Sequence, residues 1–208
     1  MATIQNNRST LATDPIRNFR FLVTFQPQDT GNTALPKKLT FGFTSVSGLA
    51  VTTDSIPYRE GGYNTTVHQI PGQTSFTPLT LQRGVVLGTD TNWQWMKQLF
   101  QTVQQTGGLA VGRNFRCDLE IAVLNHPVPS SGADVVAGSA TAATDEVAMR
   151  FKVYNAWPTT VAYSDLNAGD NALYVEQMTL VHEGFDLNWA TISTANGATT
   201  VTSAATFE

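Results

Sequence analysis

The chain has 208 residues, only 13% of them Asp, Glu, Lys or Arg, and a formal net charge of −4. That length makes one domain able to bury roughly 70% of the surface its unfolded form exposes. The acidic balance argues against a nucleic-acid groove, which needs clustered Lys and Arg to displace counterions, and a charge content about half the usual share leaves an unusually neutral surface. Such a surface suits a β-rich extracellular protein or a subunit covered by copies of itself, since interface cores are depleted of charge.

Residues 1–13 are polar and carry no period, and are read as an arm that is disordered alone and ordered on assembly. This N-terminus lacks the apolar run of a secretory signal, and no stretch approaches the ~18 apolar residues of a membrane span, so the expectation is cytoplasmic assembly. From Phe19 the alternation Phe19, Phe21, Val23, Phe25 marks a first strand ended by Gln26-Pro27. Asp29 to Lys38 reads as a loop, and Leu39 to Val46 as a second strand closed by Ser47-Gly48. Leu49 to Tyr58 and Tyr63 to Ile70 form a hairpin. Its tip carries Pro57, Tyr58, Arg59, Glu60, Gly61, Gly62, Tyr63 and Asn64, the two glycines permitting positive φ for the return. Read from spacing alone, the tip is a solvated turn that happens to carry charges.

Pro71-Gly72 is expected to turn the chain again, before a strand from Ser75 to Arg83 in which Pro78 suggests an edge or bulge. Gly84 and Gly88 are followed by Thr89-Asp90 and not by a lysine and hydroxyl, which excludes a phosphate-cradling loop. Thr89 to Gln105 is the one convincing helix. Trp93, Met96, Phe100 and Val103 fall at i, i+3, i+7 and i+10, with Trp95 and Leu99 widening a stripe assigned to the core, Asp90 or Thr91 as cap, and Gly107-Gly108 as stop. Further strands are expected over 114–125, 147–157, 159–164 and 173–185. Residues 127–146, rich in Ala, Gly, Ser and Thr, read as a surface loop inserted in a main domain over 14–187, with 188–208 as a C-terminal extension.

Nothing commits the chain to catalysis. His68, His126 and His182 lack metal-ligand neighbours at useful spacing, and His182 reads as a satisfied half-buried strand-end residue. Cys117, the single cysteine, sits in the alternating run Phe115 to Val123 as a core residue, and no Ser-based elbow occurs. No cofactor or metal is expected and the chain is not read as an enzyme. Composition alone leaves a monomeric β-sandwich binding module, for carbohydrate for example, as an alternative.

The order of blocks carries more. F-T-S-V-S-G-L (Phe43–Leu49), the S-I-P-Y-R-E-G-G-Y-N tip (Ser55–Asn64), I-P-G-Q-T-S-F-T-P-L-T-L-Q-R-G-V (Ile70–Val85), T-N-W-Q-W-M, Y-N-A-W-P (Tyr154–Pro158) and M-T-L-V-H-E-G-F (Met178–Phe185) follow in one sequence. Over about residues 14–185 this resembles the tail tube proteins of contractile phages and the inner tubes of phage-tail-like contractile injection systems. The resemblance implies a mainly β fold of two packed antiparallel sheets with one flanking helix. It also implies hexameric rings whose strands form a continuous β-barrel lumen and which stack into a tube. Implied partners are other copies of the chain, an outer sheath protein, baseplate or initiator and terminator (cap) proteins, and cargo or a tape-measure protein in the lumen. The Arg59-Glu60-Gly61-Gly62 tip then becomes a ring-stacking loop.

Overall fold

The computed structural model of the chain describes residues 15–32, 35–36, 40–62, 65–86, 90–105, 114–124, 147–169, 171–195, 198–202 and 207. The arm over 1–13 and the insert over 127–146 lie outside the described residues, as do Tyr63, Asn64 and His126.

Among the described residues the architecture is mainly β with one helix. Its strands are β1 (Phe21–Pro27), β2 (Thr40–Phe41), β3 (Ser45–Ser47), β4 (Val51–Tyr58), β5 (His68–Phe76), β6 (Leu79–Gly84), β7 (Cys117–Leu124), β8 (Val147–Tyr163), β9 (Val175–Val181), β10 (Gly184–Trp189), β11 (Thr191–Ala195) and β12 (Ala198–Thr202); the helix, α1, spans Thr91–Gln104. All pairings are antiparallel.

The organising element is β8, whose 17 residues serve two sheets. Its first half pairs with β7 on one side and β10 on the other, building a sheet in the order β2-β1-β7-β8-β10. Its second half pairs with β9 and starts a second sheet in the order β8-β9-β6-β3. Between the halves Asn155 adopts φ 54°, and the β8/β9 register slips between Pro158 and Thr160. Asn tolerates the left-handed region better than branched residues do. Three side chains hold it there: the Asp118 carboxylate accepts the Asn155 backbone N–H at 2.9 Å, Gln28 donates to the Asn155 amide oxygen, and the Asn155 amide donates to Glu183.

Register follows from alternation on each sheet. In the first sheet the rows Val23-Ile121-Phe151-Leu187 and Phe25-Leu119-Val153-Phe185 lie on one face. The row Thr24-Glu120-Lys152-Asp186 lies on the other. In the second sheet Val46-Leu81-Met178-Val161 is an inward row. The rows Ser45-Gln82-Gln177-Ala162 and Ser47-Thr80-Thr179-Thr160 are outward. The inward rows of both sheets meet in one cluster that includes Val23, Phe25, Leu119, Val153, Leu79, Leu81, Met178 and Leu180. Cys117 lies fully buried in it, and burial pushes its thiol up to about 12.

The helix enters this core through one side of the expected stripe, rotated so that Asn92 and Gln98 are buried with it. Trp95 is fully buried, stacks edge-on against Phe25 at 6.1 Å and donates its Nε1–H to the Phe115 carbonyl at 2.7 Å. With Asn92, Met96 and Gln98 it forms the buried side. Of the assigned core stripe, Trp95 and Met96 are buried and Leu99 half-buried, but Trp93 (46%), Phe100 (49%) and Val103 (84%) are exposed. The Trp95 indole and the acceptor for Asn92 fix the rotation of the helix, and a count of apolar residues sees neither. Asp90 occupies the cap position without a capping bond; its carboxylate accepts from the Gln94 side chain instead.

Several boundaries also differ. β5 runs through Pro71-Gly72, because a two-stranded ribbon leaves an outer edge where proline removes no ladder bond. The break falls at Thr77-Pro78, splitting the expected 75–83 strand. The expected 39–46 strand divides into β2 and β3, which join different sheets, and the expected 147–157 and 159–164 strands are one. β10 crosses the expected 187/188 domain boundary, and β11 and β12 form a hairpin in the C-terminal extension.

Below α1 the second sheet buries a charge cluster. Arg83 donates through Nε to Glu176 at 2.6 Å, and the same carboxylate accepts from Asn92 Nδ2 at 3.0 Å and from the Tyr163 hydroxyl at 3.2 Å. Both charges are about 97% removed from solvent, Arg83 at 3% and Glu176 at 3% exposure. Replacing only one partner strands the other, so Arg83→Met is expected to destabilise the fold by about 3 to 5 kcal/mol in urea unfolding. Combining it with Glu176→Leu is expected to recover most of that loss.

Candidate assembly surfaces

The β4/β5 hairpin stands apart from both sheets. Every described residue of β4 is exposed, and all of β5 except Gly72. Val51 and Phe76 pair at its root, Thr53 and Thr74 join hydroxyls at 2.9 Å along one face, and Ile56 pairs Ile70 near the tip. An isolated two-stranded ribbon is marginal in water, and this one exposes Ile56 (55%) and Tyr58 (50%), so its stability calls for contacts beyond those among the described residues. At the tip Arg59, Glu60, Gly61 and Gly62 are exposed. Gly62 takes φ 101°, which a side chain rarely adopts; Gly61 has open space around it and no positive φ. Tyr58, Glu60, Thr66, Val67 and His68 line a shallow concavity of about 300 Å³ beside the tip.

The root of the hairpin is fixed where β3 hands over to β4 and β5 to β6. Gly48 has φ 99°, and a Cβ there would meet the Pro78 carbonyl oxygen at 2.1 Å. The crossing is tied by Ala50 N–H to the Gly48 carbonyl at 2.8 Å and by Thr77 N–H to the Ala50 carbonyl at 3.1 Å. His182, 8% exposed, places Nε2 3.0 Å from the Thr77 carbonyl oxygen and sits among the Phe76 and Phe185 rings. It is a structural strut for the hairpin. Among the described residues no group of His, Cys, Asp or Glu is placed to hold a metal ion.

A second exposed surface follows the helix. Met96, Leu99, Phe100 and Val103 face Trp157 and Pro158 of β8 across an apolar groove of about 390 Å³. The third is the pair of outer strands of the second sheet: β3 has a partner only in β6, and the second half of β8 only in β9, among the described residues. The two sheets also differ in the chemistry of their outward faces. The first bears Asp118, Glu120, Arg150, Lys152 and Asp186, with Arg150 paired to Glu120 and Tyr154 donating to Asp186 at 2.8 Å. The second bears Ser, Thr, Gln and Ala.

The residues assigned to the stacking loop are thus on one exposed tip, as far as they are described, and those assigned to the helix divide between core and surface. Sequence reasoning placed Gly48 only as a strand end and missed its close approach to Pro78, whose signal is a glycine at a strand exit facing X-Pro. It also missed the Arg83 and Glu176 pair, which no local pattern marks.

A family model described as T4-like virus tail tube protein gp19 matches residues 17–186. No curated protein matches the sequence. Among solved structures, a chain of the anti-feeding prophage tube-terminating cap is similar with a TM-score of 0.62 at 25% identity, over 91% of this chain and 100% of its own. A chain of the 6-fold symmetrised anti-feeding prophage baseplate gives 0.63 at 20% identity, over 84% and 96%. A chain of an extracellular contractile injection system, the PVC sheath-tube complex in its extended state, gives 0.57 at 24% identity, over 88% and 97%.

Gly48→Ala is expected to cost at least about 2 kcal/mol, since it combines a left-handed residue with a backbone clash. The check is a lower urea midpoint at unchanged slope; an unchanged midpoint would show that the hairpin root does not need the close approach.

Proposed function

We propose a function for this chain from the premise that it belongs to the family of T4-like virus tail tube proteins and is a structural tube subunit. Copies of the chain close into hexameric rings, and the rings stack into a hollow rigid tube. The observation that carries this is the family match over nearly the whole described fold, together with the likeness to the cap of a tube. The geometry supplies the parts. β3 and the second half of β8 are the two outer strands of one sheet, so β3 of one copy can pair with β8 of the next, and closing a ring removes both edges. Repeating such a head-to-tail contact closes when the rotation divides a circle.

Stacking falls to the hairpin. Its exposed strands and the Arg59-Glu60-Gly61-Gly62 tip meet the adjoining ring, where the Arg and Glu side chains find opposite charges and Gly61 admits close backbone approach. Each ion pair contributes only about 0 to 1 kcal/mol, but six act together in every ring-to-ring contact. In the particle the tube is enclosed by an outer sheath, starts on a baseplate, ends at a cap protein and conducts cargo when the sheath contracts. These partners follow the structures the fold resembles, which come from a sheath-tube complex, a baseplate and a cap. Subunits assemble in the cytoplasm and leave it as part of the particle. The carbohydrate-binding alternative has no supporting feature.

Negative-stain microscopy of the purified chain tests the reading: rings or tubes are expected, and a monomer across protein and salt concentrations would sink it. Reversing the tip charges, Arg59→Glu with Glu60→Arg, is expected to leave rings intact while shortening or abolishing tubes. Tubes of unchanged length and salt resistance would return the tip to a solvated turn.

A further inference from the structure

The second sheet carries its charge in an unusual place. Among its described residues the ionisable charges are Arg83 and Glu176, and both point inward, where they neutralise each other at 2.6 Å. Buried ion pairs of this kind barely repay the desolvation of their members, whereas the same two side chains turned outward would be hydrated at no such cost. The outward face is left with no charge at all. In place of charges it carries a hydrogen-bonded ladder across three strands: Ser45 Oγ donates to Gln82 Oε1 at 3.1 Å, and Gln82 Nε2 donates to Gln177 Oε1 at 3.2 Å. Beside it run Thr80, Thr179 and Thr160, with Thr159 Oγ1 donating to the Thr179 carbonyl at 3.2 Å. The solvent face of an ordinary antiparallel sheet uses Lys and Glu for solubility, as the first sheet of this chain does.

Resting on the tube reading above, we propose that the outward face of the second sheet is the wall of the lumen and that this wall is uncharged. In a ring every wall residue recurs at one height around the bore. A single Lys or Glu would there become a belt of like charges facing one another across a narrow passage, repeated at every ring. Such belts bind polyions of the opposite sign and repel those of the same sign. A ladder of Ser, Thr and Gln offers donors and acceptors that water satisfies equally well, so a passing chain of either charge is wetted and not held. The ladder also restrains the Gln side chains, which keeps the bore open. The first sheet, with its alternating charges, becomes the exterior of the tube.

Native chemistry provides a clean test. Cys117 is fully buried and its thiol is pushed up to about 12, so the unaltered chain is silent to maleimide. Gln177→Cys and, as a near-isosteric second site, Thr160→Cys place thiols on the second sheet; Asp186→Cys places one on the first. Assembled tubes are treated with biotin maleimide, then with streptavidin-gold. Mass spectrometry is expected to find biotin at all three sites, while gold decorates tube walls of Asp186→Cys and is lost from the walls of the other two. Gold along the walls of Gln177→Cys or Thr160→Cys tubes would overturn the assignment. So would failure of biotin maleimide itself to reach both second-sheet sites, since that would put the face between copies. Unaltered chains that form no tube would sink the tube reading, a separate outcome from either.

Discussion

The bend of β8 at Asn155 is the constraint on which the rest depends. One strand of 17 residues cannot serve two sheets of different direction unless its backbone turns without losing its partners. The turn falls where Asn155 enters the left-handed region, and the ladder is re-registered at Pro158 and Thr160. The partner ribbon breaks at the same level: β9 ends at Val181, β10 begins at Gly184 with φ 155°, and His182 in the gap reaches across to Thr77. Asp118, Gln28 and Glu183 then hold Asn155 from three different segments. A bulge of this kind re-aims the strand and increases its twist, which is what lets the inward rows of both sheets close on one core.

Once the bend is set, the surrounding elements have few places left. α1 lies over the bend region of β8, where Trp95 plugs the core and Asn92 completes the coordination of the Glu176 carboxylate. The β4/β5 ribbon departs where the core ends, from a crossing so tight that Gly48 admits no side chain. Core and crossing are thus closely packed, and the ribbon they hold is exposed along its length. This division suits a subunit whose outlying parts find their partners in other copies.

Much of this was legible in the residues. Alternation in Phe21 to Phe25 and in Cys117 to Val123 marked strands because one face of each is buried and the other polar, and the helix stood out by its period. The order of blocks pointed to the family. What was hidden has physical causes. The rotation of α1 is decided by a hydrogen bond from Trp95 to a carbonyl far along the chain, not by the apolar count. Pro71-Gly72 looked like a turn because turn propensity is local, while an outer ribbon edge tolerates both residues. β8 looked like two strands because Pro158 interrupts the pattern, although a slipped register absorbs it. The proposal that the Arg59-Glu60-Gly61-Gly62 tip stacks rings comes from the resemblance, and its own spacing reads as a turn.

The low charge of the chain acquires a structural meaning from this topology. Charge is not thinned evenly: the first sheet keeps an ordinary mixed set, including Glu120 held by both Arg150 and Gln26. In the second sheet the outward rows are Ser, Thr, Gln and Ala, and the charges of Arg83 and Glu176 are folded under. A solitary subunit gains nothing from that asymmetry, because a neutral sheet face is less soluble and more prone to edge association than a charged one. In the ring proposed above, the edges are consumed and the neutral face lines the bore, so the composition that is a liability in a monomer is tolerated. The asymmetry between the two faces is therefore an argument for assembly that is independent of any resemblance.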